Sequence, residues 1–187
     1  VLSGPQRDPV TLYAPQLVAQ ADPSWPRAAW QLAIAPPSGS GHVDGNRIGV
    51  RPVPGELQVY RGAAWAQPAT DMVEASVLRV LEDSGKLAGV GRLATGLRAD
   101  YRLLMDVRRF EADYRGGSLP AATLEISATL LDNSRQRSVA HHTFTRVQPA
   151  AATDVASVAH AFDQALAAIS ADIAGWTDDA LVVNLQG

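Results

Sequence analysis

The histidines are the first residues whose type could do chemistry, because imidazole nitrogens bind metals and transfer protons. His141 and His142 form an adjacent pair. Neighbouring side chains on a β-strand point to opposite faces, so these two cannot readily share one metal. Further ligands would have to come from His42 or His160, which lie far away in the sequence. We therefore predict no metal site, and no motif places a catalytic partner beside either histidine.

Nucleophiles and carboxylates give no stronger indication of a reaction. The chain has no G-x-S-x-G elbow, and Ser127 and Ser138 fall in strand-like segments. Acidic residues are dense between positions 100 and 113, but arginines alternate with them. That mixture is typical of a solvated strand face with ion pairs, and not of a catalytic carboxylate pair. We predict no catalytic residues and a protein that is not an enzyme.

Cofactors and nucleic acid are also not expected. The glycine-rich residues 89–96 lack the G-x-G-x-x-G spacing, and a strand-like segment follows them where a nucleotide site needs a helix. A formal net charge of −3 lacks the basic excess that phosphate binding requires. The chain contains no cysteine, which excludes disulfides and thiolate chemistry for these residues.

Periodic segments define the elements that must carry any functional residue. Alternating apolar residues predict strands at residues 10–13, 29–36, 47–51, 56–60, 99–114, 122–132 and 138–147. Apolar residues at steps of three or four predict helices over residues 68–84 and 154–175. The last three strands should form an antiparallel meander, and residues 89–96 should be turn material. The predicted fold class is α/β, with a mixed β-sheet covered by two long helices.

Local signals predict where these elements begin and end. Thr70 is the expected N-cap of the first helix and Gly85 its stop, while Thr153 or Asp154 should cap the second helix. Residues 177–187 are expected to be a weakly held tail. The Pro- and Gln-rich residues 1–28 are predicted to be an extended tether with one strand added to a sheet edge, and residues 29–187 a single domain.

Trp65 poses the sharpest question, because it stands just before Pro68 at the entry to the first helix. One interpretation is structural, since an apolar residue before a helix can pack onto its first turn and fix the angle of entry. The other is functional, since Trp65 and Tyr60 could form a partner-binding patch of aromatic side chains. These two are the only candidate site residues that we single out, and both interpretations stay open at this point.

The order of motifs resembles a known family. The segments are VTLYAP, WQLAIAP, the run RIGVRPVPGELQVYRGAAWAQPATDMVEASVLRVLEDSG, ADYRLLMDVRRFEADYRGG with Phe110, the hairpin AATLEISATLLDNSRQRSVAHHTF, and VASVAHAFDQALAAISADIAGW. Each is weak alone, but their order and spacing over residues 10–176 are similar to those of the ABC-type transport auxiliary lipoproteins. That group includes the PqiC-type intermembrane-transport lipoproteins associated with MCE systems.

The resemblance implies an anticodon-binding-domain-like or TolB N-terminal-like fold and a non-enzymatic role. It implies an accessory lipoprotein on the periplasmic face of the outer membrane, which docks the machinery of lipid transport there. The implied partners are an MCE-domain protein, ABC transporter components and further copies of the chain. The family's lipid-bearing cysteine is absent from these residues, so the lipid anchor is expected upstream of Val1.

An alternative is a periplasmic binding module that itself carries a lipid or another apolar ligand. Such a carrier needs a cavity lined by inward-facing residues such as Leu103, Met105, Leu124 and Ile126. If these side chains instead fill the space between helices and sheet, the docking role is favoured. The free edge of the meander and the strand near Val10 are the places where we expect copies of the chain to pair.

Overall fold

A computed structural model describes residues 8–96 and 98–183 of the chain. Its strands are β1 (Thr11–Tyr13), β2 (Ala28–Ile34), β3 (Ser38–Gly39), β4 (Gly49–Arg51), β5 (Gln58–Val59), β6 (Ala63–Trp65), β7 (Leu87–Arg92), β8 (Tyr101–Asp113), β9 (Ala121–Asp132) and β10 (Arg137–Pro149). Its helices are α1 (Ala69–Ser84) and α2 (Val155–Val183). Short 3₁₀ turns follow β3 and β7.

The main sheet is mixed, with the order β10-β9-β8-β2-β7. β8, β9 and β10 form the predicted antiparallel meander. On the other side of β8, the short strands β2, β3 and β4 pair with it one after another, all parallel. The predicted α/β class is confirmed, and α1 and α2 contact each other and cover one face of the sheet.

Alternation along β8 and β9 forms the core between sheet and helices. Tyr101, Leu103, Met105 and Val107 share the helix face, as the period of two predicts. The register with β9 then shifts between Val107 and Arg109. This bulge carries Phe110 onto the helix face and leaves the polar residues that flank it on the opposite face.

The helix ends agree with the sequence in part. Gly85 adopts a left-handed conformation (φ 62°) and its N–H bonds to the Glu82 carbonyl, which confirms the predicted stop of α1. Asp154 caps α2, since its carboxylate accepts the Ser157 backbone N–H at 3.0 Å. The N-cap prediction for Thr70 is wrong: α1 begins earlier, after Pro68, and the Thr70 hydroxyl faces Asp44 at 3.3 Å.

The predicted end of α2 at Gly175 is also wrong. The helix continues to Val183, and Thr177 and Leu181 are fully buried, so the predicted tail is helical as far as the structure describes it. Gly175 lies within the helix and leaves room for the Trp25 ring, because a Cβ at this position would lie 3.1 Å from that ring. Residues 184–187 of the predicted tail lie outside the described residues.

Residues 89–96 are not wholly turn material. The first half of this segment belongs to β7, which pairs in parallel with β2, and the 3₁₀ turn follows it. Glycine-rich sequence lowers strand propensity, but the hydrogen bonds to β2 override that preference. Strands β4 and β5 lie inside the predicted segments but are shorter, because β4 pairs with β8 over three residues and β5 pairs with β4 over only two.

The N-terminal arm packs along the domain. β1 pairs in parallel with β6 in a separate two-stranded sheet, and not with an edge of the main sheet. The Asp163 carboxylate on α2 accepts the backbone N–H groups of Gln16 and Leu17 at 3.1 and 3.0 Å. Ala19 is buried and Trp25 packs against the core. The predicted division at residue 28 stays a prediction, but residues 8–28 follow the domain surface as far as they are described.

Candidate partner-binding surface

Trp65 is a core residue in this structure. Its side chain is 2% exposed. Its ring lies edge-on to the Phe110 ring, with the centroids 5.9 Å apart, and edge-on to the Phe162 ring, with the centroids 5.1 Å apart. Phe110 and Phe162 stack at 5.2 Å. This geometry suits aromatic quadrupoles, and it joins β6, β8 and α2 at one point. Trp65 therefore presents almost no surface to a partner, and its burial agrees with the structural interpretation.

Tyr60 lies beside this cluster in sequence but has a different environment. It is half-buried, and its backbone N–H bonds to the Ile48 carbonyl at 3.0 Å. Its hydroxyl is buried without a hydrogen-bond partner among the described residues. Burial raises the pKa of Tyr60 to about 12, and nearby Tyr114 adds to the shift. The phenol is thus neutral at physiological pH, and the two predicted site residues do not form one exposed aromatic patch.

Exposed apolar side chains precede Tyr60 in the sequence. We call Val53, Leu57, Val59 and Tyr60 the hairpin patch, because they belong to the β4–β5 hairpin and the residue after it. The first three are 40–47% exposed. The N-terminal arm lies beside this hairpin, since the Thr11 N–H bonds to the Gly62 carbonyl at 2.9 Å. Clustered exposed apolar residues mark interaction surfaces more often than single ones do.

A buried cluster of charged residues around Glu111 links the β4–β5 hairpin to β8. The Glu111 side chain is 1% exposed, and one of its oxygens accepts hydrogen bonds from Arg51 at 2.6 Å and Arg109 at 2.9 Å. His42 lies 3.6 Å from the other carboxylate oxygen. A buried carboxylate needs such compensation. Arg51 comes from β4 and His42 from the 3₁₀ turn after β3, so the cluster ties these two segments to β8.

The histidines do not converge on one site. The His141 ring lies 2.9 Å from the Thr129 hydroxyl, while the His142 ring packs edge-on against Phe144 at 4.7 Å on the other face. The predicted divergence of the pair is therefore confirmed by their contacts. Within residues 8–96 and 98–183, no three histidine, cysteine or acidic side chains lie close enough to hold a metal ion.

The inward residues on which the carrier alternative depends lie in the core. Leu103, Leu124 and Ile126 are fully buried and Met105 is 4% exposed. All four belong to one continuous apolar cluster with residues of both helices. They occupy the space between helices and sheet, where a carried ligand would have to lie.

Sequence reasoning missed one further surface, the groove beside β10. His142, Thr143, Phe144, Arg146 and Asp172 line an open groove of ≈640 Å³. The Phe144 ring lies edge-on to Trp176 at 5.7 Å. The Arg146 side chain pairs with Asp172 at 2.6 Å. The second helix was predicted to end at residue 175, and the one available signal was the large aromatic side chain of Trp176 directly after that predicted end.

Neither helix in the described part of the chain combines the length and the apolar character that a membrane crossing requires. A comparison with curated proteins gives no match.

Solved structures support the fold. Protein XCC0632 from Xanthomonas campestris is 53% identical, with a TM-score of 0.92 over 95% of this chain and 100% of that chain. An uncharacterized protein is 16% identical, with a TM-score of 0.66 over 88% and 97%. The hypothetical protein CT253 from Chlamydia trachomatis is 10% identical, with a TM-score of 0.58 over 82% and 98%. The last two similarities concern the fold alone.

The family comparison covers most of the chain. The sequence pattern of the ABC-type transport auxiliary lipoprotein components matches residues 11–174, from β1 through most of α2. This range contains the meander and all three rings of the aromatic cluster, Trp65, Phe110 and Phe162. It also contains nearly all of the sequence segments that carry the resemblance. The chain therefore belongs to the family of ABC-type transport auxiliary lipoprotein components.

Proposed function

We propose that this protein is a non-enzymatic accessory lipoprotein of an ABC-type, MCE-associated lipid-transport system. It would dock the transport machinery at the periplasmic face of the outer membrane, held there by an N-terminal lipid. The family of the chain supports the transport role. The MCE partner, the lipid cargo of the system, the outer membrane and the self-association of copies are parts of the proposal.

The packing of the core is the observation that favours docking over carrying. Leu103, Leu124 and Ile126 are fully buried and pack against the helices. Ligand sites are concave, and they need unfilled space next to apolar side chains. A protein that fills this space is suited to present surfaces to partners.

The hairpin patch is the surface that we assign to the partner. Its three aliphatic side chains are 40–47% exposed, and the half-buried Tyr60 directly follows Val59. Aromatic residues are common anchors of protein interfaces. Trp65 would contribute indirectly, by holding β6 against the core.

The test is affinity capture of the full-length, natively exported protein from membranes, followed by identification of proteins and of extractable lipid. We expect an MCE-domain protein and ABC transporter subunits without stoichiometric lipid. Tyr60→Ala should reduce the capture about tenfold, as loss of an interface anchor does. Tyr13→Ala, which changes another half-buried tyrosine, is the matched control.

Two results would contradict the proposal in different ways. Stoichiometric lipid without any protein partner would favour the carrier alternative. If the Tyr60→Ala variant captured the transport proteins as well as the unchanged protein does, the docking role would stand, but the hairpin patch would not be the surface that performs it.

A further inference from the structure

Strand β10 leaves one edge of the main sheet open. It pairs with β9 on one side, and no described strand pairs with its other side. After a bulge between Ser138 and Ala140, its register with β9 is unbroken from Ala140 to Pro149. An edge of this length presents a row of unpaired backbone N–H and C=O groups, which is a template for another extended strand.

The groove beside β10 would receive the side chains of such a strand. On the helix side of the edge, Phe144 and Trp176 form a half-exposed aromatic wall, with His142 and Arg146 on either side. Side chains of an added strand point alternately to the two faces of the sheet. Every second side chain would therefore enter the groove, where an apolar residue would contact the aromatic wall.

The charge of β10 indicates which strand fits. Residues 137–149 contain Arg137, Arg146, His141 and His142 but no acidic residue, although the whole chain has a net charge of −3. Asp172, which lies on α2, pairs with Arg146, whereas no described acidic side chain pairs with Arg137. The edge therefore complements an acidic segment.

A second copy of the chain is a poorer occupant. Two β10 edges would join two strands whose charged residues are all basic, and like charges in neighbouring strands are destabilising. A second free edge of the main sheet, β7, has only six residues, with Lys86 before it and Arg92 at its end. Neither β10 nor β7 of a second copy supplies the acidic side chains that β10 lacks.

We infer that the free edge of β10 binds an extended acidic segment of a partner protein by strand addition, with an apolar side chain held between Phe144 and Trp176. Backbone hydrogen bonds would provide affinity in this mode, and the groove would provide specificity. The inference goes beyond the proposed function and does not depend on it, because the site lies away from the hairpin patch and any transport or non-transport partner could use it.

The experiment uses fluorescence anisotropy with the full chain and a labelled synthetic peptide. The peptide has about eight residues, the length of an ordinary strand. It has one central Phe, with Glu two residues before and two residues after it and Val at the positions between them, so that Phe and Glu share the face that meets the groove. We expect saturable binding that weakens at least about tenfold when each Glu is replaced by Lys, because charge complementarity is lost. Peptides N-methylated at one alternate set of residues should lose binding, and those methylated at the other set should retain it, because only every second residue bonds to the edge.

Variants of the protein locate the site. Phe144→Ala should weaken binding about tenfold, as truncation of an anchor does. Leu104→Ala is the matched control, because Leu104 is an exposed apolar residue of β8 that lies on the opposite face of the sheet and does not line the groove. Circular dichroism checks that both variants are folded.

Three results would overturn the inference. They are the absence of saturable binding by the acidic peptide, equal binding of the two N-methylated peptides, and concentration-dependent self-association that protects the β10 amides. The third result would assign the edge to a second copy of the chain. Because the peptide assay contains no transport protein, its failure would leave the proposed docking function untouched, and failure of membrane capture would leave this site untouched.

Discussion

At the scale of single residues, Trp65 shows how an exposed-looking aromatic residue becomes part of the core. It precedes α1 in a segment rich in small residues, but its ring contacts Phe110 and Phe162 from two distant elements. Three segments of the fold therefore depend on one side chain. Such a residue affects partner binding only through stability.

We expect Trp65→Ala to lower the free energy of unfolding by about 3–5 kcal/mol, the usual cost of removing a large buried aromatic side chain. Trp65→Phe should cost less, because most of the apolar volume remains. Guanidinium unfolding followed by circular dichroism measures both. A loss below about 1 kcal/mol for the alanine variant would contradict the core assignment.

Asp178 is a second residue with an unusual environment. Its side chain is fully buried on α2, and neither carboxylate oxygen has a hydrogen-bond partner among the described residues. Burial raises the pKa of Asp178 to about 7, with nearby Asp179 acting in the same direction and Lys86 opposing it. The folded protein therefore keeps a proton that the unfolded chain releases near pH 4.

The sign of the resulting pH dependence follows from this difference. Between the unfolded pKa and about pH 7 the folded state binds more protons, so the free energy of unfolding falls as pH rises, and this contribution levels off above pH 7. Asp178→Asn should remove the effect and stabilise the protein by about 1–3 kcal/mol at alkaline pH. Urea unfolding near pH 5 and near pH 8 measures it. An equal effect of the substitution at both pH values would show that Asp178 does not titrate in this range.

At the scale of elements, α2 owes its length to tertiary contacts. Gly175 lies inside the helix because the Trp25 ring occupies the space of its side chain. The arm residue and the helix residue are therefore coupled by packing. A substitution at one should change the effect of a substitution at the other.

We expect Gly175→Leu to destabilise the protein by about 1–3 kcal/mol, because the larger side chain must displace the Trp25 ring. In a Trp25→Ala background the same substitution should cost little or become favourable, since the space is vacant and leucine favours helix. A double-mutant cycle by chemical unfolding gives the coupling. Additive effects would mean that Trp25 does not restrict position 175.

Asp163 holds the arm to α2 through two backbone N–H groups. Asp163→Ala should increase hydrogen exchange at the Gln16 and Leu17 amides about tenfold, because each loses its acceptor. Amides in β9 serve as the internal control, since the central strand should exchange only on global unfolding. Unchanged exchange at both arm amides would show that the carboxylate does not restrain the arm.

At the scale of the whole molecule, the arm and the domain share one core. β1 pairs with β6, Ala19 is buried and Trp25 covers α2. The division at residue 28 thus separates segments that are in contact. The arm can still lead toward a membrane anchor, but its described part contributes to folding.

Removal of residues 1–28 should therefore lower the free energy of unfolding by more than about 3 kcal/mol, because the deletion exposes apolar surface on β6 and α2. Thermal and urea unfolding of the shortened chain measure this loss. If the shortened chain were as stable as the full chain, residues 8–28 would be a tether that merely rests on the domain.

Local signals were sufficient for much of the fold. The alternation in residues 101–107 and 122–132 predicted β8 and β9, and the sequence of three strands predicted an antiparallel meander. Gly85 and Asp154 ended and began helices because capping depends on a few adjacent residues. The local pattern failed where an element depends on residues far away in the sequence. At β7, the glycines predicted a turn, but the segment forms a strand because it pairs with β2.

The candidate site was predictable only in part. The sequence identified Tyr60 and Trp65 as unusual aromatic residues, but burial separates them, and burial depends on which distant side chains meet. The groove of Phe144 and Trp176 could not be predicted at all, because α2 was expected to end where Trp176 contributes its ring.

By itself, the sequence determined the α/β class, the meander, the two amphipathic helices and the family, because these follow from periodicity and from the order of motifs. Only the tertiary structure decided that Trp65 is internal, that the arm packs on the domain, that α2 extends to Val183 and that β10 keeps a free basic edge. The physical reason is range. Propensity and capping act over a few residues, whereas burial and strand pairing join residues that are far apart in the chain.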